Sequence, residues 1–284
     1  MFLTGDALLV GRFGIYMVPW LAMIAGLLAA IAHWISARRA ATVLGAVCIG
    51  LTWAQWPEPS LDDQGPDTSS LSIITLSNRT VNVDMAATAA FLKAHPADIV
   101  ALQEVADPEA LLAHLSGQAH CRDGTSLILS RFPLGQPEPE STPRQLFCTA
   151  RTPLGPILIG SVHMPKARFD TWQQDGDLAR LVAVLETATL PVVLAGDFNA
   201  TPLTTPYRRV RRYLEDAHAR AGWGLGMTFP TRARPLLGAL GPFLRIDYVF
   251  HGPELIARSA RVLPDHPPGA DHLPLRAELI LAER

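Results

Sequence analysis

Short apolar runs in this chain repeatedly end on side chains able to do chemistry. Ile99–Leu102 delivers Gln103-Glu104, Ile157–Val162 delivers His163, and Val192–Ala195 delivers Gly196-Asp197-Phe198-Asn199. Leu244–Ile246 leads into Asp247, and Asp271-His272 precedes a last apolar run. Any one of these is an ordinary cap, turn residue or strand-end charge. Together they set carboxylates, amides and imidazoles at strand rims, where rigid backbone can hold them around a pocket. The mixture suits a phosphodiester site. Carboxylates with amide neighbours offer oxygen ligands to a hard cation such as Mg²⁺ or Mn²⁺. No Cys or His cluster has zinc spacing. Two histidines can serve as base and acid, one of them oriented by a buried carboxylate. A metal and a protonated imidazole can together stabilise a pentacovalent phosphate.

The elements that must hold these groups are legible as apolar segments with caps. Strands are expected over 71–76, 99–102, 126–130, 145–151, 157–163, 191–196, 245–251 and 274–281. Asp84 can cap a helix that runs to His95 and stops at Pro96; Asp107-Pro108 opens a shorter one to Leu115. Asp170 can cap a third, to Thr187. A Pro-rich loop is expected to join the strands at 126–130 and 145–151. Strands alternate with helices early and pair as hairpins in the middle, which predicts a mixed α/β sandwich rather than a doubly wound parallel sheet.

Six motifs in order resemble the endonuclease/exonuclease/phosphatase family, whose fold is that of deoxyribonuclease I. They are Asp98-Ile-Val-Ala-Leu-Gln-Glu104-Val, Ser126-Leu-Ile-Leu-Ser130-Arg131-Phe-Pro133, Gly160-Ser-Val-His163, Gly196-Asp197-Phe-Asn199, Arg245-Ile-Asp247-Tyr-Val and Ala270-Asp271-His272-Leu-Pro274. The resemblance implies a four-layer α/β sandwich, two mixed sheets flanked by helices with a metal at the strand ends. It implies Glu104 as main metal ligand, Asn78 as the active-site amide after the first strand, and Asp271 in support of the metal or its waters. His163 would be the acid beside the phosphate, and Asp197 and Asn199 would orient water and phosphate. Asp247 would pair with His272, the general base. Thr75-Leu-Ser-Asn78 is a loose form of its motif, with Asn82 a competitor. Ala270 stands where Ser is common, and no second glutamate partners His163.

Net charge is −2, which gives no composition-level case for a nucleic-acid protein. Mean hydropathy is +0.19, high for a soluble enzyme. The excess sits in two uncharged runs, 13–35 and 40–56, each near the roughly 20 apolar residues of a membrane span. They predict two transmembrane helices within 1–56, joined by Ser36-Ala37-Arg38-Arg39. The arginines place that turn in the cytoplasm. A cleaved signal peptide is the rival reading. Residues 57–70 read as a flexible linker, and 71–284 as a charge-balanced catalytic domain on the extracytoplasmic side of the cell membrane. Cys121 and Cys148 could pair there or stay as buried thiols; Cys48 falls in the second run.

Arg208 and Arg211, in a local cluster with Arg209 and Arg212, are candidate substrate contacts, as are Arg232 and Arg234 in a later loop; a solvated face is the bland alternative. The partner is therefore a phosphodiester, nucleic acid or phospholipid, with a non-catalytic binding protein as the third alternative. The balanced domain weakens the case for tight nonspecific DNA binding.

Overall fold

The structure is a computed structural model of the 284-residue chain. It describes residues 18–34, 42, 45, 46, 49, 70–79, 83–115, 117–166, 171–234 and 237–282. The described residues from 71 onward are built on two sheets. The first comprises β1 (Leu71–Ser77), β2 (Ile99–Gln103), β3 (Ala119–Asp123), β4 (Ser126–Ser130), β10 (Leu255–Val262) and β11 (Leu275–Leu281), in the order β10-β11-β1-β2-β4-β3. The second comprises β5 (Gln145–Thr152), β6 (Gly155–His163), β7 (Val192–Asp197), β8 (Glu215–Asp216) and β9 (Asp247–His251), in the order β5-β6-β7-β9-β8.

Each sheet has one parallel pair at its centre, β1 with β2 and β6 with β7, among antiparallel neighbours. Those central strands are apolar on both faces because both faces are covered. Ile73, Ile99, Ala101, Ile159, Val193 and Ala195 pack in the core between the sheets. Ile74, Leu76, Val100 and Leu102 face outward beneath α2 (Met85–Ala94) and α3 (Pro108–His114). On the far side, Leu178 and Leu181 of α4 (Thr171–Thr187) and Val210 of α5 (Thr205–Val210) cover Leu194 and Phe250. Helix, sheet, sheet, helix is the four-layer order expected. Asp84 and Asp107 cap α2 and α3 as their positions predict, accepting from Ala86 N and Ala110 N at 2.9 Å each.

Two local expectations are corrected. The Pro-rich loop does not close a hairpin: β4 pairs with β3 in the first sheet and β5 with β6 in the second, so residues 131–144 carry the chain from one sheet to the other. Secondly, β3 and β10 are edge strands that the apolar-run criterion misses. Cys121 of β3 and Cys148 of β5 form a disulfide, with a Cα–Cα distance of 6.6 Å, that fastens the two sheets together.

Of the expected span over 13–35, the described residues form the helix α1 (Val18–Trp34). Its 17 residues rise about 25 Å, against about 30 Å of bilayer hydrocarbon. Among the described residues no helix is long and apolar enough to cross a membrane. The predicted second span at 40–56, Cys48 and the linker at 57–70 lie almost wholly outside the described residues.

Candidate active site

Strand direction brings the chemistry to one end of the sandwich. The parallel pairs β1/β2 and β6/β7 end together, so Asn78, Glu104, His163 and Asp197 leave the sheets on the same side. The antiparallel strands β9 and β11 start there, which adds Asp247 and the Asp271-His272 segment. Register then aligns sheet two residue by residue: His163 lies across from Asp197, and Asp197 across from Asp247. Gly196 has a packing reason, since a Cβ there would collide with the Val162 carbonyl oxygen of the adjoining strand.

His272 crosses from the first sheet to the second. Its Nδ1 lies 2.8 Å from Asp247 Oδ2, and its Nε2 lies 3.8 Å from Asp197 Oδ2 and 4.0 Å from Asp271 Oδ1. Thr228 donates its hydroxyl to the same Asp247 oxygen, and the Phe229 ring lies 4.7 Å from the imidazole. On the other side of Asp197, His163 Nε2 is 3.9 Å from Asp197 Oδ2 and 3.3 Å from Glu104 Oε1. Asn199 holds Asp197 in place: its backbone N–H donates to Oδ1 at 2.8 Å, and its side-chain amide donates to Oδ2 at 3.0 Å and to the Met164 carbonyl at 2.8 Å. Glu104 (φ 54°), Asn199 (φ 45°) and Arg79 (φ 56°) are the non-glycine residues with left-handed backbone among the described residues, and all three leave strands at this rim.

Burial dominates the electrostatics. It raises Asp197 to about 7, with Asp247 adding to the shift and His272 opposing it. Burial also works against a charged His272, but Asp247 and Asp197 outweigh it and push that imidazole up to about 9. Burial thus favours the neutral form of Asp197, and the flanking carboxylates favour the charged form of His272. His163 goes the other way, lowered by burial against the pull of Glu104.

The residues fit a hard divalent cation. Glu104, His163 and Asp197 offer one ligand atom each within 4.8 Å of one another, as do Asp197, Asp247 and His272. Asp247 Oδ1 is buried with no hydrogen-bond partner, and burial raises the Asp197 carboxyl to about 7, so a cation here would meet carboxylate oxygens that the protein leaves incompletely satisfied.

Other expected residues are placed differently. Asn78 is fully buried, its amide paired with the Thr88 hydroxyl at 3.2 Å and its backbone N–H bonded to Gln103 O at 2.8 Å. These bonds fix the exit of β1 beside the end of β2, from which Glu104 follows. Asp271 is engaged by Arg234, Nε to Oδ2 2.5 Å, and stands outside both clusters. Arg211 pairs with Glu215, which sits opposite His251 at the far end of β9 from Asp247; Arg208 bonds the Leu203 carbonyl beside its own helix. The structure brings neither arginine to the cluster. Thr228, Phe229 and Arg79 are neighbours that single-residue chemistry did not single out, whereas Arg234 was among the candidate substrate contacts and lies beside Asp271. Thr228 and Phe229 fall in a stretch between motifs that has no periodicity.

The sequence model described as the endonuclease/exonuclease/phosphatase family matches residues 77–272, from the end of β1 to the imidazole of the last motif. No curated protein matches the chain. Solved structures share the fold. Humanized TDP2 from D. rerio is 17% identical, covering 75% of this chain and 100% of its own, with a TM-score of 0.60. A mannosyl-6-phosphatase from Bacteroides thetaiotaomicron is 15% identical over 74% and 100%, TM-score 0.56. An AP endonuclease from Archaeoglobus fulgidus is 17% identical over 73% and 98%, TM-score 0.55. At these identities the likeness is one of fold, while the family match covers well over half of the chain and every residue of both clusters. The chain belongs to the endonuclease/exonuclease/phosphatase family.

Proposed function

We propose that the domain is a divalent-metal-dependent phosphodiesterase that acts on nucleic acid. The observation that carries this reading is the row His163, Asp197, Asp247, completed by His272 and faced by Glu104: two imidazoles and three carboxylates within reach of one another. Glu104, with Asp197 and His163, would hold Mg²⁺ or Mn²⁺. When bound, such a cation supplies positive charge that polarises a phosphoryl oxygen and draws down the pKa of the groups around it.

The chain's own residues do the rest. Asp247 binds the Nδ1 side of His272 and fixes the ring, leaving Nε2 facing Asp197. The 3.8 Å between them is too long for a direct hydrogen bond, which leaves Nε2 free for a water brought in with the substrate. Water would be the nucleophile, with the unprotonated form of His272 the base that takes its proton. Asn199 is a positioning residue that keeps Asp197 aimed at the water. His163, held neutral by burial, hydrogen bonds the phosphate from the opposite side.

The neighbours of this fold include a mannosyl-6-phosphatase and an AP endonuclease, so the reaction class is supported more firmly than the substrate. Phospholipid hydrolysis is the second reading, favoured by α1, which exposes Leu21, Met23, Ile24, Leu27, Leu28 and Ile31. The same surface supports attachment of the N-terminus to the cell membrane, and the Cys121–Cys148 disulfide supports an extracytoplasmic, oxidising location for the domain. A reporter fused after Ser70 tests the topology; signal from the cytoplasm overturns it. For activity, the purified full chain is assayed on DNA, RNA, phospholipid vesicles and phosphomonoesters with Mg²⁺, with Mn²⁺ and with chelator. Hydrolysis should need metal and fall by about 10²-fold or more in Asp197→Ala and His272→Ala. Activity unchanged in both variants would sink the assignment.

A further inference from the structure

Two arginines far apart in sequence meet on Asp271, the neighbour of His272. Arg234 Nε lies 2.5 Å from Asp271 Oδ2 and Arg79 Nε lies 4.0 Å from the same oxygen. Arg79 also donates to the Ala233 carbonyl at 3.5 Å, which ties it to the turn that carries Arg234. That turn is itself anchored to Asp271: Thr231 N donates to Asp271 O at 2.9 Å, and the Thr231 hydroxyl to Ala270 O at 2.7 Å. The Arg234 guanidinium sits 5.8 Å from the centre of the Phe229 ring, which in turn touches His272. The two cations are thus built into the wall beside the base, on an ordered frame.

Their arrangement exceeds what Asp271 needs. Two guanidinium groups meet one carboxylate, and both side chains keep solvent access, at 34% and 23%. Among the described residues, the Nη groups of Arg234 and Nη2 of Arg79 make no hydrogen bond, so planar donors remain for a ligand. Guanidinium forks match phosphate oxygens. Holding Arg79 at φ 56° costs backbone strain, which is sustained where the surroundings over-determine a position.

The geometry points to an anion subsite: Arg79 and Arg234, aligned by Asp271, take a second phosphate of the substrate, a monoester group next to the ester that is cleaved. This rests on the phosphoesterase reading. Such a group occurs as the terminal phosphate of a nucleotide chain or the ring phosphate of an inositol lipid. The test compares kcat/KM of the full chain on a dinucleotide with and without a 5′-phosphate, and on phosphatidylinositol vesicles with and without a ring phosphate. One arm should show a preference of about tenfold or more for the phosphorylated form, the scale of one good charged hydrogen bond. Arg79→Gln and Arg234→Gln should bring that ratio toward one through KM, and the Lys variants should keep part of it. A wild-type ratio near one in both arms overturns the subsite, as does a preference that survives in both Gln variants. The wild-type ratio decides even where a variant does not fold. If nothing is hydrolysed, the phosphoesterase reading fails by itself; binding of the same dinucleotides in chelator still reads the subsite.

Discussion

The two sheets contribute unlike things to one site. Sheet two supplies a buried row: Asp197 and Asp247 are essentially without solvent contact, and strand register alone sets their spacing. Behind that row lies a buried ion pair, in which Arg245 Nη2 bonds both oxygens of Asp216 at 2.6 Å, while Tyr207 donates to the same carboxylate at 2.8 Å. Tyr248 then donates to the carbonyls of Arg245 and Ala200, at 2.8 Å each, tying the start of β9 to the end of the Asp197–Asn199 turn. Sheet one supplies groups that reach outward: Glu104 at a left-handed strand exit, His272 and Asp271 ahead of β11, and two arginines. Under the proposed function, depth on one side and reach on the other would separate proton handling, which needs a dry and fixed environment, from substrate holding, which needs access. The sheets meet chemically where His272 bonds Asp247, where Glu104 faces His163 at 3.3 Å, where Gln103 Nε2 donates to Ser161 Oγ at 2.9 Å, and at the disulfide.

This contrast can be broken at several strengths. The largest effect should come from Asp247→Ala, which frees the imidazole that spans the sheets; kcat should fall about 10²- to 10⁴-fold with the fold retained by circular dichroism. Retained activity would mean that the buried row does not handle protons. Next, Asp216→Ala strands the buried Arg245 charge behind β9 and should cost about 3–5 kcal/mol in urea unfolding. A loss confined to a few tenths would show that sheet two does not depend on its internal ion pair. Acid should act on the same region. Burial and the nearby Arg245 lower His218 from 6.5 to about 4, so the folded protein resists its protonation. The unfolded chain then binds the extra proton first, and stability should fall as pH drops from about 6.5 to 4, by roughly 3 kcal/mol for this group. His218→Gln should flatten that window; an unaltered pH profile would remove the claim. Smallest is Ser161→Ala, which strips the partner of Gln103 at the sheet junction and should cost about 1–3 kcal/mol. Since it touches neither the row nor the arginines, it should change stability far more than substrate preference.

The sequence made the rim of the site legible because buried strands read as uninterrupted apolar runs, and the polar residue that ends such a run is conspicuous. That is why Glu104, His163, Asp197 and Asp247 were identifiable one by one. Edge strands were not legible. In β3, Ala-His-Cys-Arg-Asp has only Cys121 buried, and β10 loses its alternation where the register slips between Ala257 and Ser259. The sheet switch after β4 was hidden for a different reason: a Pro-rich loop has the same composition whether it turns back or crosses over. For Asp271, residue type says what the side chain can bind, while its partner Arg234 comes from a separate segment; the Arg211–Glu215 pair is an i,i+4 contact.

The left-handed backbone at Glu104 and Asn199 sets the domain's stability against its activity. A non-glycine residue at positive φ costs on the order of 1 kcal/mol. Glycine at 104 would release that strain while deleting the carboxylate that faces His163. A variant selected only for thermal tolerance should drift toward glycine at this position and lose its chemistry as it does so. On the proposed function, glutamate there would mark selection for what the rim does, at the expense of how firmly the chain folds.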